Sequence, residues 1–125
     1  MQCPVEQFPW EKVAADLFEL NGRQYLVLVD SLSNFIEVES LSTISATAVI
    51  KVLKANFARY GIPKLLVTDS GSQFTSAEFK RFAIGWGFQH YMSDPGHHQA
   101  NGKAESAVKI AKNMIKKCLE DGKDQ

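Results

Sequence analysis

An apolar run that stops at a carboxylate is the feature that most constrains how this chain folds. Leu65-Leu66-Val67-Thr68 leads directly into Asp69-Ser70-Gly71. Aliphatic and β-branched residues bounded by turn residues predict a buried strand, with Asp69 at its exit. Ligands of open α/β sheets bind outside the carboxyl ends of the strands. An Asx turn that closes the strand is the plainer explanation of Asp69, so other carboxylates must decide whether it belongs to a site.

Length and composition predict one folded domain. The chain has 125 residues, of which 45% are hydrophobic and 22% charged, which is ordinary for a globular protein that buries a core. No apolar run approaches the roughly 20 residues of a membrane helix, and no signal pattern stands at the N-terminus, so we expect an intracellular protein. Cys3 and Cys118 lie near opposite ends of the chain, which favours reduced thiols.

Hydrophobic periodicity predicts five strands and three helices. Asn21-Gly22 is a hairpin signal between the first two strands. The predicted strands are residues 13–18, 25–29, 35–39, 64–68 and 88–91. The predicted helices run from a Ser42 or Ser45 cap to about Tyr60, from Thr75 or Ser76 to a break at Gly85-Trp86-Gly87, and from about Asn101 to Leu119. This order predicts an α/β fold with a mixed five-stranded sheet flanked by helices.

The last predicted helix carries Glu105 on a basic face. Five lysines stand between Asn101 and Lys117, where Glu105 is the only acid. On a helical wheel, Lys109, Lys112 and Lys116 fall within about 40° of Glu105. The opposite side is predicted to be buried and consists of Ala107, Ile110, Ala111, Met114 and Cys118. A solvated face with a Glu–Lys pair is the plainer interpretation, and contact with a nucleic-acid backbone is the alternative.

Asp16 interrupts the first apolar strand, where an unpaired buried charge is costly. If the strand that leads to Asp69 lies beside that strand, the two carboxylates meet, and the last helix can bring Glu105 over both. Three hard oxygen ligands suit Mg²⁺ or Mn²⁺. Two such ions, about 3.5–4 Å apart, hold the attacking and leaving oxygens of a phosphoryl transfer.

Two other polar groups are candidates for a site. Asp30 is the rival third carboxylate, but its position before Ser31-Leu32-Ser33 favours a turn. His97 and His98 have no nearby cysteine and lack the usual spacing of zinc ligands, so no zinc site is expected there.

These residues resemble the catalytic core of retroviral and retrotransposon integrases, and most of all the Ty3/Gypsy type. The resemblance runs from about Pro9 to Lys117, and Asp16, Asp69 and Glu105 match the D-D-E residues of the family, with 35 residues between the last two. The matching stretches are Pro-Trp-Glu-Lys-Val-Ala-Ala-Asp-Leu-Phe, Tyr-Leu-Val-Leu-Val-Asp, Phe-Ala-Arg-Tyr-Gly-Ile-Pro, Val-Thr-Asp-Ser-Gly-Ser-Gln-Phe, Trp-Gly-Phe-Gln-His and His-Gln-Ala-Asn-Gly-Lys-Ala-Glu.

The resemblance implies a ribonuclease-H-like fold and a polynucleotidyl transferase whose three catalytic carboxylates bind two Mg²⁺ or Mn²⁺ ions. Water would cleave near the 3′ end of the element's DNA, and the freed 3′-hydroxyl would attack target DNA. The face of the last helix that carries Lys109, Lys112 and Lys116, here called the lysine face, would lie along donor DNA. Gln99 and Asn101 match positions expected near the DNA end. The resemblance further implies a homodimer or larger oligomer, action in the nucleus and no membrane partner.

Departures from the family pattern leave alternatives open. Asp69-Ser70-Gly71-Ser72 stands where the family commonly has Asp-Asn-Gly-Pro, and His97-His98-Gln99 where it has Tyr-Pro-Gln. A domesticated or inactive core that serves as a dimerisation or DNA-binding module is one alternative, and an ordinary ribonuclease-H-like nuclease is another. We predict a tail over residues 1–8, an integrase core over residues 9–120 and a second tail over residues 121–125, without the flanking modules of complete integrases.

Overall fold

The computed structural model describes residues 10–93 and 102–123 of the chain, with side chains as far as residue 119. The strands are β1 (Lys12–Leu20), β2 (Arg23–Asp30), β3 (Ile36–Leu41), β4 (Leu65–Thr68) and β5 (Gln89–Met92). The helices are α1 (Ala46–Tyr60), α2 (Ser72–Thr75), α3 (Ala77–Trp86) and α4 (Gly102–Lys123). None of the helices in these two ranges is long and apolar enough to cross a membrane.

The strands form one mixed sheet in the order β3-β2-β1-β4-β5. β2 pairs antiparallel with β1 and β3, whereas β4 lies parallel to β1 and β5 lies parallel to β4. At the first turn, Asn21 and Gly22 have φ angles of 54° and 77°, and positive φ at both central residues is what a type I′ hairpin requires. The predicted mixed five-stranded sheet and its hairpin are therefore confirmed.

The two faces of the sheet pack against different helices, because successive side chains of a strand point to opposite faces. On one face, Val13, Ala15 and Leu66 belong to a core that also contains apolar residues of α1, α2 and α3. On the other face, Ala14 and Val67 belong to a core with α4. The buried residues that α4 contributes are Ala104, Ala107 and Ala111. Since alanine side chains are short, the backbone of α4 lies close to this face.

The predicted starts of α1 and α3 are confirmed, and so is the predicted end of α3 within Gly85-Trp86-Gly87. The hydroxyl of Ser45 accepts a hydrogen bond from the Ala48 backbone N at 3.2 Å, and that of Ser76 accepts one from the Phe79 backbone N at 3.1 Å. α3 continues through Gly85 to Trp86 and is capped by Gly87, whose φ is 80°. The left-handed conformation that terminates a helix is adopted only at the second glycine. The short helix α2 had no clear sequence signal.

The predicted buried face of α4 is partly wrong. Ile110 and Met114 are 49% and 50% exposed, and Cys118 is an exposed free thiol. Ala104 instead lies against the sheet, fully buried. Glu105 follows Ala104 directly and is therefore about 100° around the helix from it, so Glu105 flanks the buried face and does not oppose it.

The Asp30 side chain accepts hydrogen bonds within the turn between β2 and β3 and from Trp10, which precedes β1. Its side chain is 1% exposed; Oδ1 accepts from the Trp10 backbone N at 2.7 Å, and Oδ2 accepts from Ser33 N at 3.1 Å and Ser33 Oγ at 2.6 Å. Burial alone would raise the pKa of Asp30, but these hydrogen bonds lower it below the ordinary value. The interpretation of Asp30 as a turn residue is confirmed.

Asp30→Asn is expected to lower the free energy of unfolding by about 2 kcal/mol at pH 7, because hydrogen bonds to an ionised group contribute about 1.5–3 kcal/mol. The folded-state pKa of Asp30 is depressed, so its stabilisation is present above the unfolded pKa of about 3.9 and is lost as the pH falls through the folded pKa. Urea unfolding should therefore show the difference shrinking below about pH 4. Glu19→Gln, which changes an exposed carboxylate of β1, is the control. An equal loss at pH 7 and at about pH 2.5 would contradict this role.

Candidate active site

Asp16 lies within β1 on the sheet face that α4 covers, because it alternates with Ala14 and Phe18, which belong to the core on that face. Its side chain is only partly buried. The Oδ1 atom accepts a hydrogen bond from the backbone N of Leu17 at 2.8 Å. The sequence thus places one carboxylate on an otherwise apolar strand, at the edge of a packed core.

Asp69 follows the last residue of β4 and lies beside Asp16. The parallel register pairs Ala14 with Val67, and two residues further along each strand stand Asp16 and Asp69, which therefore emerge on the same face. Asp69 is exposed, and its Oδ1 accepts from the backbone N of Gly71 at 3.0 Å. Asp69 therefore forms an Asx turn and also lies next to Asp16, so its role in the turn does not exclude a role in a site.

Glu105 reaches the same region from the first turn of α4. It is exposed, while its neighbour Ala104 is fully buried against the sheet. The helix approaches that face most through β1 and β2, where Ala14, Val27 and Val29 form the core with the α4 alanines. Packing of α4 across the strand that carries Asp16 is what brings Glu105 towards the two aspartates.

The three carboxylates interact electrostatically. The pKa of Asp16 is raised to about 6, mainly because burial disfavours its charged form and also because the charges of Asp69 and Glu105 repel it. The hydrogen bond from the backbone of Leu17 opposes the shift. An arrangement in which like charges destabilise one another at a strand edge is typical of functional sites.

The carboxylate oxygens of Asp16, Asp69 and Glu105 are chemically suited to a divalent cation, although the three side chains are not arranged as metal ligands. Within the described residues, no three His, Cys, Asp or Glu side chains have an arrangement that could hold a metal ion. Carboxylate oxygens are nevertheless the ligands that Mg²⁺ and Mn²⁺ prefer. A cation bound among them would relieve the repulsion between the three carboxylates and would favour the charged form of Asp16, which burial disfavours.

The predicted DNA-binding residues fall into two groups. Lys109 and Lys116 are exposed on α4, and Lys112 is partly buried. Gln99 and Asn101 lie outside the described residues, and so do His97 and His98. Lys103, also on α4, donates from Nζ to Oδ1 of Asn34 at 2.7 Å, which ties the start of the helix to the turn between β2 and β3.

Thr68 and His90 are site-adjacent residues that sequence reasoning missed. Thr68, the residue before Asp69, is fully buried, and its Oγ1 lies 2.8 Å from Nε2 of His90. The predicted strand over residues 88–91 contained His90 but gave it no role, and His90 is the second residue of β5. A histidine at an inward-facing position of a short strand was the available signal, but the pairing of β4 with β5 was needed to interpret it.

Asp16→Asn is expected to raise the free energy of unfolding by about 1 kcal/mol at pH 7 in EDTA, which is less than the pKa shift alone implies because solvent screens this partly exposed group. Since the folded-state pKa of about 6 exceeds the ordinary 3.8, protonation favours the folded state. The stabilisation of the folded state by protonated Asp16 is fully present below about pH 4 and is lost as the pH rises through the folded-state pKa. Urea unfolding should therefore show the two proteins converging towards about pH 4. A variant less stable than the wild type at pH 7 would contradict the raised pKa of Asp16.

Comparison with known proteins identifies the family. The integrase core domain model matches residues 9–98. The match includes Asp16 and Asp69 but stops before Glu105, so the association of Glu105 with the two aspartates rests on the packing of α4.

Three relatives illustrate the range of similar sequences. An uncharacterised protein of Caenorhabditis elegans is 33% identical over 120 residues, which cover 95% of this chain and 10% of that protein. The Pro-Pol polyprotein of simian foamy virus type 3 is 34% identical over 75% of this chain and 8% of its own length. The Gag-Pol polyprotein of Rous sarcoma virus subgroup C is 32% identical over 72% of this chain and 6% of its own length. The chain thus spans a tenth or less of each of these relatives.

Solved structures share the fold. A chain of the simian T-cell lymphotropic virus intasome in complex with PP2A regulatory subunit B56 gamma has a TM-score of 0.84 and 21% identity, over 94% of this chain and 44% of its own. The catalytic core domain of BIV integrase has a TM-score of 0.79 and 20% identity, over 90% of this chain and 73% of its own. The chain therefore belongs to the integrase core domain family and has the ribonuclease-H-like fold of integrase catalytic cores.

Proposed function

We propose that this chain is the catalytic core of an integrase that processes the 3′ ends of an element's DNA and joins them to target DNA. The observation that carries the proposal is the convergence of Asp16, Asp69 and Glu105 within a member of this family. Burial, and to a smaller extent the charges of Asp69 and Glu105, raise the pKa of Asp16. Because the chain spans only a small part of its relatives, the proposal concerns what this core contributes to a longer protein.

Asp16, Asp69 and Glu105 would together hold two Mg²⁺ or Mn²⁺ ions. When bound, such ions activate the attacking oxygen and stabilise the charge on the leaving oxygen of a phosphoryl transfer. The nucleophiles are water in the first step and the DNA 3′-hydroxyl in the second, so the serines of the chain need no catalytic role. With a pKa of about 6, Asp16 is mostly ionised at neutral pH, and its protonation at lower pH would remove a ligand.

The lysines of α4 would hold the DNA backbone beside these carboxylates. The whole chain has no net charge, so attraction to phosphates has to come from a local concentration of positive charge. Lys109, Lys112 and Lys116 supply it on the helix that also carries Glu105. Contacts of this kind position a strand without reading its sequence.

The proposed function also implies an oligomeric state and a cellular location for this core. Pairing of this core into a homodimer or a larger oligomer is supported by the likeness of its fold to a chain of an intasome. Joining element DNA to host DNA would take place in the nucleus.

Loss of any one carboxylate tests the proposed chemistry. Asp16→Asn, Asp69→Asn and Glu105→Gln are each expected to reduce Mn²⁺-dependent disintegration of a branched DNA, the reverse of strand transfer. The expected factor is about 100–1,000, the range found when one group that stabilises the charge of a transition state is removed. Each variant should keep the far-ultraviolet circular dichroism of the wild type. Glu19→Gln, on the same strand as Asp16 but exposed, is the matched control and should stay fully active.

Other outcomes would distinguish the alternatives. Full activity in any one of the three variants would show that its carboxylate was assigned wrongly. A wild-type chain that binds DNA but neither binds Mn²⁺ nor reacts would support an inactive core that serves as a DNA-binding or dimerisation module. Hydrolysis of RNA in a hybrid in preference to joining of DNA ends would support an ordinary nuclease.

Neutralising the lysine face tests the DNA-binding part. Lys109, Lys112 and Lys116 changed together to Gln should weaken duplex binding and reduce the slope of log K against log salt by up to about 2.7, since each phosphate contact contributes about 0.9. The matched control changes Lys51, Lys64 and Lys80, which are exposed outside α4, in the same way. If both triple variants change the slope equally, or neither does, the lysine face of α4 is only solvated surface.

A further inference from the structure

A series of two hydrogen bonds connects His90 of β5 with the backbone of Asp69. Nε2 of His90 lies 2.8 Å from Oγ1 of Thr68, and the same Oγ1 donates to the backbone O of Asp69 at 2.8 Å. His90 is held against the rings of Phe79 and Phe74, at centroid distances of 4.8 and 6.4 Å. The two hydrogen bonds therefore connect the packed ring of His90 with Asp69, the residue that is proposed to bind metal.

The direction of each hydrogen bond follows from counting protons. A threonine hydroxyl has one proton, and Thr68 gives it to the carbonyl of Asp69. The short contact with His90 then requires the ring to donate from Nε2. Burial lowers the pKa of His90, which favours a neutral ring, and the contact with Thr68 then places the one ring proton on Nε2.

A second set of contacts holds the same segment from β5. The backbone N of Ser93 donates to the backbone O of Thr68 at 2.8 Å, and the hydroxyl of Ser70 donates to the backbone O of Ser93 at 3.0 Å. These contacts hold Thr68 and Ser70, the residues on either side of Asp69. The contact from Thr68 is the one that reaches the carbonyl of Asp69 itself.

We propose that His90 is a positioning residue, which acts through the hydroxyl of Thr68 to fix the backbone carbonyl of Asp69 and with it the direction of the Asp69 carboxylate. The orientation of that carbonyl sets the ψ angle of Asp69. Since Oδ1 also accepts from the backbone N of Gly71, hydrogen bonds constrain both the backbone carbonyl and the carboxylate of Asp69. The inference rests on the proposed function, because it assigns Asp69 to the metal site.

The test compares Mn²⁺ affinity with stability in matched variants of the 125-residue chain. Thr68→Val removes the hydroxyl at nearly the same volume, and Thr68→Ser keeps it. His90→Leu removes the ring donor, whereas His90→Gln offers an amide N–H in its place. Thr43→Val, at an exposed threonine between β3 and α1, is the control. Electron paramagnetic resonance of free Mn²⁺ gives the affinity, and thermal unfolding gives the stability.

Thr68→Val and His90→Leu are expected to weaken Mn²⁺ binding at least about tenfold, as is typical when a partner of a metal ligand is removed. Thr68→Ser, His90→Gln and Thr43→Val should stay near the wild type. If Thr68→Val lowers the unfolding temperature but leaves the Mn²⁺ affinity unchanged, the pair only stabilises the fold, and the inference is wrong.

The tautomer of His90 provides a test that needs neither metal nor DNA. The ¹⁵N resonances of the ring, assigned by their loss in His90→Gln, should show the proton on Nε2. A proton on Nδ1 alone would force Thr68 to donate to His90 and would overturn the inference. If the wild type binds no Mn²⁺ at all, the proposed function fails, and the tautomer alone decides whether His90 holds Asp69 through Thr68.

Discussion

The parallel pairing of β4 with β1 is the contact on which the candidate site depends. It sets Val67 beside Ala14, and the alternation of side chains then brings Asp69 and Asp16 to one face. A slip of one residue would move Asp69 to the opposite face of the sheet. The antiparallel strands on the other side of β1 give α4 a surface to cover, and the short side chain of Ala104 lets Glu105 come close to the aspartates.

The same sheet contains two aspartates whose surroundings act in opposite directions. Asp30 is almost completely buried, yet its pKa is lowered because backbone and hydroxyl donors converge on the charged form. Asp16 is less buried, but one backbone N–H does not compensate for burial and for the charges of Asp69 and Glu105, so its pKa is raised. The first arrangement stabilises the fold, whereas the second reduces its stability. A cost in stability is expected where residues are arranged for function.

Local signals predicted most of the fold. Asn21-Gly22 located the hairpin, Ser45 and Ser76 located two helix starts, and the run ending at Thr68 located the strand that leads to Asp69. In each case the physical cause lies within a few neighbouring residues: a positive φ angle, a hydroxyl that accepts a backbone N–H, or a change of hydrophobic period.

Features that depend on contacts between distant elements could not be predicted in this way. A helical wheel shows that α4 is amphipathic, but only its packing on β1 and β2 shows that Ala104 is buried and Ile110 is exposed. The contact of His90 with Thr68 needs the register between β4 and β5. The three carboxylates were predicted from residue type, from the burial cost of Asp16 and from the family pattern, whereas Gln99 and Asn101 remain predictions outside the described residues.

Anomalous diffraction from crystals of this chain soaked in Mn²⁺ at neutral pH tests the central claim most directly. The claim is that Asp16, Asp69 and Glu105 form a divalent metal site. It predicts anomalous peaks within coordination distance of carboxylate oxygens of Asp16 and Asp69, with Glu105 contacting a bound ion, and loss of those peaks in Asp16→Asn. Peaks only elsewhere on the protein, or peaks at the site that persist unchanged in Asp16→Asn, would contradict it.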